Sequence, residues 1–379
     1  MSVFIAAAAL AAWVYLLAAR GGFWLFREKL PQAETSSPTR VAAVIPARDE
    51  AEGIAAAVRS LLTQRFEGTL DLFMVDDHSV DGTAEIAREA AHAAGAAGRL
   101  IVIEGAPLPA GWTGKLWAVA QGIEAALAFG PDYLLLTDAD ITHAPDSVEN
   151  LIACAGERDT DLTSVMVRLH AEHAAEALLI PAFVFFFFKL YPPRWVAKPK
   201  KRTAAAAGGC MLIRPAALAR IGGIAAIRAE VIDDCALARA VKRTGGRMWM
   251  GLSTVTRSTR QYRSFTEIRD MIARTAYTQL HYSPALLLGT LLGLALLYVS
   301  PPVLTLAGHG AARLAAIAAW LLMSIAFAPA LSFYGKSILL APLLPLAAIF
   351  YMEATLASAV RYYRGRGGQW KGRAAAHSG

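Results

Sequence analysis

The stretch Leu134-Leu135-Leu136-Thr137-Asp138-Ala139-Asp140 decides the fold. A run of aliphatic side chains that stops in two carboxylates predicts a buried strand with Asp138 and Asp140 at its carboxyl end, the edge where ligands bind in open α/β sheets. Because side chains alternate along an extended chain, the two carboxylates point the same way and can share one ligand. Two hard oxygen ligands suit Mg²⁺ or Mn²⁺ held together with a substrate's phosphates. Taken alone, the D-x-D pattern fits a solvated loop after a strand as well.

Short apolar runs alternate with helical patterns around this stretch. Strands are predicted at 41–45, 70–75, 100–103, 133–137 and 162–167, and helices at 51–63, 84–94 and 115–128. Such alternation predicts an α/β fold, a Rossmann-type, mostly parallel sheet with helices on both faces. The first βα turn, Pro46 to Glu50, has no glycine, and no Walker A sequence occurs, so a dinucleotide enzyme and a P-loop enzyme are disfavoured.

Apolar and charged residues are segregated along the chain. Of its 379 residues, 56% are hydrophobic and 18% charged, and the mean hydropathy is +0.41. Uncharged residues 3–19 and the apolar region 284–360 flank a charged centre. Positive charge follows residues 3–19, at Arg20 and Arg27, rather than preceding them, which predicts a retained anchor instead of a cleaved signal peptide. The positive-inside rule then places the polar domain in the cytoplasm.

The other apolar segments predict further membrane contact. The carboxyl-terminal region divides into 284–307, 314–334 and 338–360, but three crossings would put the basic tail outside, so one segment is either re-entrant or made of two short passes. Residues 178–191 are rich in phenylalanine but short for a span. We interpret them as an interfacial or membrane-dipping helix, with a buried core helix as the alternative. A full crossing there is disfavoured because it would split the polar domain.

The cysteines and the net charge indicate the cellular compartment and limit the classes of expected binding partner. The three cysteines lack metal-ligand or disulfide spacing, which fits a reducing compartment. The net charge of +7 is spread out without an aromatic-interleaved basic stripe, so nucleic acid is not an expected partner. Anionic headgroups or a diphosphate are better matches. Arg257, Arg260 and Arg263 are interpreted as a solvated or headgroup-facing surface rather than as phosphate ligands.

Further charged residues follow predicted strands or open predicted helices, and their order along the chain is informative. Asp76-Asp77 ends the second predicted strand, Lys115 follows Gly114, and Asp233-Asp234 opens a helix-like run. Each pair alone is more often a turn or a helix cap. Together with the D-x-D pair, they indicate a nucleotide-sugar enzyme.

The full motif series resembles family 2 glycosyltransferases, inverting enzymes with the GT-A fold. The resemblance covers about residues 40–280 and rests on the motifs Val41–Glu50, Val75–Thr83, Gly114-Lys115, Asp138-Ala139-Asp140 and Asp233-Asp234. Gly111–Ala118 and the tail Gly365–Arg373 resemble the hopanoid (hopene)-associated branch in particular. The resemblance implies a UDP-sugar donor and a divalent metal, Mg²⁺ or Mn²⁺.

The resemblance also implies residue roles. Asp76 would pair with uracil, Asp138 and Asp140 would bind the metal, and Asp234 would be the catalytic base beside Asp233, where the family more often has Glu. The implied substrate-binding residues are Pro46, Arg48, Glu50, Asp76, Lys115, Asp138, Gly208, Gly209 and Arg274. Of the Q-x-x-R-W motif of processive members, residues 271–275 retain only the arginine, which indicates transfer of a single sugar.

The expected organisation is a transmembrane anchor (1–27), a linker (28–40), a cytoplasmic GT-A catalytic domain (41–256), an interfacial helix region (257–283), a carboxyl-terminal transmembrane region (284–360) and a basic cytoplasmic tail (361–379). A catalytic domain tied to the inner membrane predicts a lipid acceptor. Two alternatives stay open at this point: a nucleotide-binding membrane scaffold with degenerate activity, and a nucleotidyltransferase. Retention of Lys115, Asp140 and Asp234 disfavours the scaffold.

Overall fold

A computed structural model describes residues 1–32, 38–365, 367 and 371. The chain divides into two compact units. The helical unit comprises Met1–Arg27, Ala171–Arg194 and Gln261–Gly368, and the sheet unit comprises Glu28–His170, Trp195–Arg260 and Gln369–Gly379. Part of the predicted linker, 33–37, and most of the predicted tail beyond Gly365 lie outside the described residues.

The sheet unit is built on one eight-stranded sheet with the order β3-β2-β1-β4-β7-β6-β8-β5. Its strands are β1 (Thr39–Ala47), β2 (Gly68–Asp76), β3 (Leu100–Glu104), β4 (Tyr133–Thr137), β5 (Ile141–His143), β6 (Leu162–Arg168), β7 (Cys210–Ile213) and β8 (Met248–Ser258). Strand β1 pairs in parallel with β2 and β4, so their carboxyl ends meet at one edge. Strand β7 runs antiparallel between β4 and β6, and β5 runs antiparallel to β8. The predicted α/β sheet is confirmed, with these antiparallel strands added.

The helices are α1 (Ser2–Ala19), α2 (Ile54–Leu62), α3 (Thr83–Ala93), α4 (Gly114–Leu127), α5 (Ser147–Glu157), α6 (Ala174–Leu190), α7 (Pro193–Val196), α8 (Pro215–Arg220), α9 (Asp233–Arg243), α10 (Phe265–Ala273), α11 (Ala276–Gln279), α12 (Pro284–Leu294), α13 (Ser300–Ala307), α14 (Gly310–Phe333) and α15 (Leu344–Tyr363). Short 3-10 turns cover Phe23–Leu25, Ala97–Arg99, Ile224–Ile227 and Ile338–Leu343, and Ala295–Val299 is a π-helical turn.

Helices cover both faces of the sheet. Strand β1 is buried on both of its sides because alternate residues face different helices. Ala43 and Ile45 join a core that includes Val58 of α2. On the opposite face α4 packs so closely that a Cβ at Gly122 would lie 2.5 Å from Val44. Close packing on both faces fixes β1 in the middle of the sheet and thereby sets where its carboxyl end lies.

Among the residues that the structure describes, five helical stretches are long and apolar enough to cross a membrane. They are Ser2–Ala19, Ala174–Val196, Pro284–Ala307, Gly310–Phe333 and Ile338–Tyr363. Helix α1 meets α14 through small side chains, with Ala6, Ala312 and Ala316 all buried at the contact. Small residues allow helix backbones to approach closely, as in membrane helix pairs.

The phenylalanine-rich segment differs from the expectation for it. The sequence predicts an interfacial helix of fourteen residues, yet the helical stretch Ala174–Val196 has 23 residues and is long and apolar enough for a crossing. Its amino end begins earlier because a capping box between His173 and Glu176 starts the helix ahead of the phenylalanines. The capping residues are polar, so a search for an apolar run alone places the start of the helix too late.

Candidate active site

Lys115 joins two acidic elements of the sheet unit. It lies in the first turn of α4, where Thr113 caps the helix by accepting a hydrogen bond from the Leu116 backbone N–H. Lys115 Nζ is 2.9 Å from Asp138 Oδ1, just beyond β4, and 3.1 Å from Asp233 Oδ2, at the start of α9. Its ammonium therefore bridges two of the clusters that were predicted from separate parts of the sequence. The two carboxylates raise the pKa of Lys115, although burial alone would lower it.

Asp234 is held beside this bridge by the backbone. Its Oδ2 accepts a hydrogen bond from Gly208 N at 2.8 Å, and its Oδ1 accepts one from Cys235 N at 2.6 Å. Burial, with the neighbouring charge of Asp233, nevertheless raises the pKa of Asp234 to about 6. The carboxylate is thus oriented by two donors and is more basic than an ordinary aspartate.

Asp140 belongs to a second ion-pair cluster in the same unit. Arg260 Nε is 2.9 Å from Asp140 Oδ2, and Arg260 Nη2 lies 3.0 and 3.1 Å from the two oxygens of Glu50. Pairing of β5 with β8 brings Arg260 there, because Ser258 at the end of β8 is opposite Ile141, next to Asp140. Glu50 is contacted in addition by Lys371, whose Nζ is 2.9 Å from Glu50 Oε1.

Asp138 and Asp140 fit a divalent cation. Burial, followed by the charges of Asp140 and Asp233, raises the pKa of Asp138 against the opposing effect of Lys115. A cation bound by both carboxylates would relieve their mutual repulsion. The donor set is oxygen alone, which matches Mg²⁺ or Mn²⁺. Asp138 and Asp140 would be the protein ligands.

The end of β2 presents one accessible and one buried carboxylate. Asp76 Oδ1 accepts a hydrogen bond from Ser79 N at 3.2 Å, and its side chain stays partly exposed. Asp77 is buried, 3.5 Å from Arg48 Nη1. The same Arg48 nitrogen donates to the Asp77 carbonyl oxygen. Asp76 is consequently the carboxylate that can meet a ligand, whereas Asp77 and Arg48 fasten the ends of β1 and β2 together.

The predicted substrate-binding residues do not all lie together. A pocket brings together Pro46, Lys115, Asp138, Gly208 and Asp233, and its other lining residues are mainly apolar. Gly209 accepts a hydrogen bond from Thr137 through its carbonyl oxygen, which ties β7 to the end of β4. Arg274, in contrast, belongs to the helical unit, where it follows α10.

Two cations of the site were not predicted from sequence. The sequence predicts a solvated or headgroup-facing surface for Arg260, because nothing in the sequence pairs β8 with β5. Lys371 falls in the predicted basic tail. The one signal in the sequence is the tail stretch Gly365–Arg373, whose resemblance to a family branch does not indicate a contact with Glu50.

The chain is similar to known proteins in sequence and in fold. Residues 38–278 match the family description Glycosyltransferase like family 2. The fold is similar to that of the mannosyltransferase PcManGT from Pyrobaculum calidifontis in complex with GDP-Man and Mn²⁺, with a TM-score of 0.56 and 19% identity over 96% of this chain and 99% of that chain. A weaker similarity, with a TM-score of 0.40 and 14% identity over 86% of this chain and 92% of that chain, relates it to S. aureus TarS 1-349 in complex with UDP-GlcNAc. No curated protein matches the chain.

The family match covers well over half of the chain and contains the predicted motif series from β1 to Arg274. The sheet order, the carboxylates at its edge and the GT-A-like fold of the Pyrobaculum protein are consistent with it. This chain belongs to the glycosyltransferase-like family 2.

Proposed function

We propose that this protein is a membrane-bound, inverting, non-processive glycosyltransferase that moves one sugar from a UDP-sugar to a hydroxyl group of a lipid. The observation that carries the proposal is the Lys115 bridge between Asp138 and Asp233, at 2.9 and 3.1 Å. It links the sheet edge suited to a diphosphate to the helix that carries Asp234. Neighbouring side chains would therefore stabilise the leaving group and deprotonate the acceptor hydroxyl.

Asp234 is proposed as the general base. Its raised pKa, about 6, leaves it ionised at neutral pH and makes it a better proton acceptor than an unperturbed aspartate. It removes the proton of the acceptor hydroxyl while that oxygen attacks the anomeric carbon. The bond from the anomeric carbon to the diphosphate oxygen breaks on the opposite face, which inverts the configuration without a covalent intermediate.

Lys115 is proposed to stabilise the departing diphosphate as a point charge already positioned by two carboxylates. A Mg²⁺ or Mn²⁺ ion held by Asp138 and Asp140 would supply Lewis-acid stabilisation of the same leaving group. The Mn²⁺ of the Pyrobaculum mannosyltransferase supports a divalent metal. Asp76, partly exposed at the end of β2, is proposed to pair with the uracil base.

A lipid acceptor and an inner-membrane location are supported by the five helices that are long enough to cross a bilayer. We place the sheet unit on the cytoplasmic side because basic residues follow α1. The stretch Gly111–Ala118 supports a hopanoid-related lipid as the first acceptor to try.

The test uses purified full-length protein in detergent with Mn²⁺, membrane lipid extract and a panel of UDP-sugars and GDP-sugars. We expect release of one nucleoside diphosphate together with labelled lipid. Asp234→Asn should lower this release by at least about a hundredfold, and Glu89→Gln, which changes an exposed carboxylate of α3, should leave it unchanged. Label appearing in a long polymer would contradict single transfer. Absence of nucleoside diphosphate release with every donor and lipid extract would contradict the proposed function itself.

A further inference from the structure

A cationic cluster in the sheet unit is not used by the mechanism above. Arg260 and Lys371 both contact Glu50, and Arg260 also contacts Asp140. The two cations come from distant parts of the chain, since Arg260 follows β8 and Lys371 lies in the carboxyl-terminal tail. They nevertheless converge on one carboxylate at the end of β1.

Lys371 is fastened to three consecutive residues of the loop after β1. Its Nζ is 2.9 Å from Glu50 Oε1 and donates to the Asp49 carbonyl oxygen at 2.9 Å. Its own carbonyl oxygen accepts a hydrogen bond from Arg48 Nε at 3.3 Å. Lys371 has a φ of +46°, a left-handed backbone that residues with a Cβ rarely adopt. The contacts with Arg48, Asp49 and Glu50 thus hold Lys371 against this loop in spite of its unfavourable backbone conformation.

The charges of the cluster favour an anionic ligand. Both carboxylate oxygens of Glu50 accept hydrogen bonds from Arg260. Glu50 can therefore hold the guanidinium in place when Asp140 binds a divalent metal ion instead of Arg260. Two cations would then share one carboxylate and leave a net positive charge. The side chains of Arg260 and Lys371 are 38% and 25% exposed, against 15% for Glu50 beneath them, so the cations are the accessible groups.

We propose that Arg260 and Lys371 form a two-cation clamp, tethered on Glu50, that binds the diphosphate of the nucleotide sugar. The clamp rests on the proposed function and adds a tail residue to the donor site. Its position at the end of β1 lies between the neighbouring strand ends that carry Asp76 and Asp138, where a nucleoside diphosphate bound by those two residues would have its phosphates.

The test compares the binding of UDP and GDP with that of UMP and GMP to the full-length protein in detergent with Mn²⁺, by calorimetry. Because charge-assisted hydrogen bonds to the second phosphate would be lost, Lys371→Met and Arg260→Met should each weaken diphosphate binding by about tenfold, with monophosphate binding changed by less than about twofold. Lys371→Arg should restore part of the affinity. Lys29→Met, at an exposed lysine of the same unit, serves as the matched control and should bind as the unchanged protein does.

Diphosphate binding that is unchanged in both variants would overturn the clamp. An equal loss of monophosphate and diphosphate binding would also overturn it and would assign the two cations to holding the loop in shape. If the unchanged protein binds none of the four nucleotides, the proposed function fails first. If only the proposed clamp is wrong, the unchanged protein still binds nucleoside diphosphates.

Discussion

Gly208 donates its backbone N–H to Asp234 Oδ2 at 2.8 Å, and a Cβ at Gly208 would lie 3.3 Å from that same oxygen. The hydrogen bond orients the proposed base, and the missing side chain permits the close approach. We therefore expect Gly208→Ala to displace the carboxylate by a few tenths of an ångström. The rate of sugar transfer should fall by about tenfold, while donor binding stays nearly unchanged.

Steady-state kinetics and donor titrations on Gly208→Ala check this expectation. Gly156→Ala is the matched control, because the Cβ it would add meets no atom within 4 Å apart from its chain neighbours and the backbone of its own helix. Equal rates for the Gly208 variant and the unchanged protein would contradict the proposed role of this contact.

The acid side of the pH–rate profile should report Asp234. Its raised pKa means that the carboxyl is protonated below about pH 6, so activity should decline as the pH falls through that value. Asp234→Asn should lower the rate by at least about a hundredfold and remove this decline. Measurement of kcat/KM between pH 5 and pH 8 tests both statements, and a variant that keeps the same acid limb would show that another group titrates.

The raised pKa of Asp234 also predicts how the stability of the folded protein depends on pH. The pKa of Asp234 is higher in the folded protein than the ordinary value of 3.8, so the group favours folding at low pH, and this contribution is lost as the pH rises through about 6. At pH 7.5, Asp234→Asn should accordingly raise the melting temperature while it lowers the rate of sugar transfer. A melting temperature lowered at pH 7.5 would indicate that the hydrogen bonds to the carboxylate outweigh the cost of its burial.

Removal of the Lys115 cation should affect both donor binding and chemistry. Lys115→Met leaves Asp138 and Asp233 without the ammonium they share, and it removes the proposed diphosphate contact. We expect kcat/KM to fall by about 10²–10³-fold, with partial recovery in Lys115→Arg. Single-turnover measurements at saturating donor separate the chemical step from binding, and an unaltered chemical step would restrict Lys115 to a binding role.

Lys242 should matter for stability rather than for chemistry. Its Nζ donates to the carbonyl oxygens of Trp195, Val196 and Thr203 at 3.3, 2.7 and 2.6 Å, which fastens the loop before Gly208 to α9. Lys242→Met should destabilise the protein by about 1–3 kcal/mol, because three partly buried carbonyl oxygens lose the donor they share. Thermal unfolding beside Arg243→Met, an exposed neighbour, measures the difference, and equal melting temperatures would contradict it.

The parallel half of the sheet could be predicted from sequence. Strands β1 to β4 and helices α2 to α4 are continuous apolar or periodic runs, and their observed bounds lie within a few residues of the expected ones. In the rest of the sheet, β6 was predicted at 162–167, whereas β5 and β7 were not, because they have only three and four residues and pair with segments far along the chain. Periodicity carries no signal for such short strands.

The candidate site shows the same division. Asp138, Asp140 and Asp233-Asp234 stand out in sequence because acidic pairs at element ends are conspicuous. The Lys115 bridge and the Arg260 contact depend on long-range pairing and emerge only from the folded chain. His143, three residues beyond Asp140, contacts Thr137 at 3.2 Å, and its burial lowers its pKa to about 4.

The path of the chain through the two units has a practical consequence. The chain leaves the sheet unit after His170 and returns to it at Trp195, and the apolar helix α6 lies between these two residues in the sequence. A water-soluble catalytic fragment therefore cannot be obtained by trimming the two ends. It would require residues 171–194 to be replaced by a polar connection between the sixth and seventh strands.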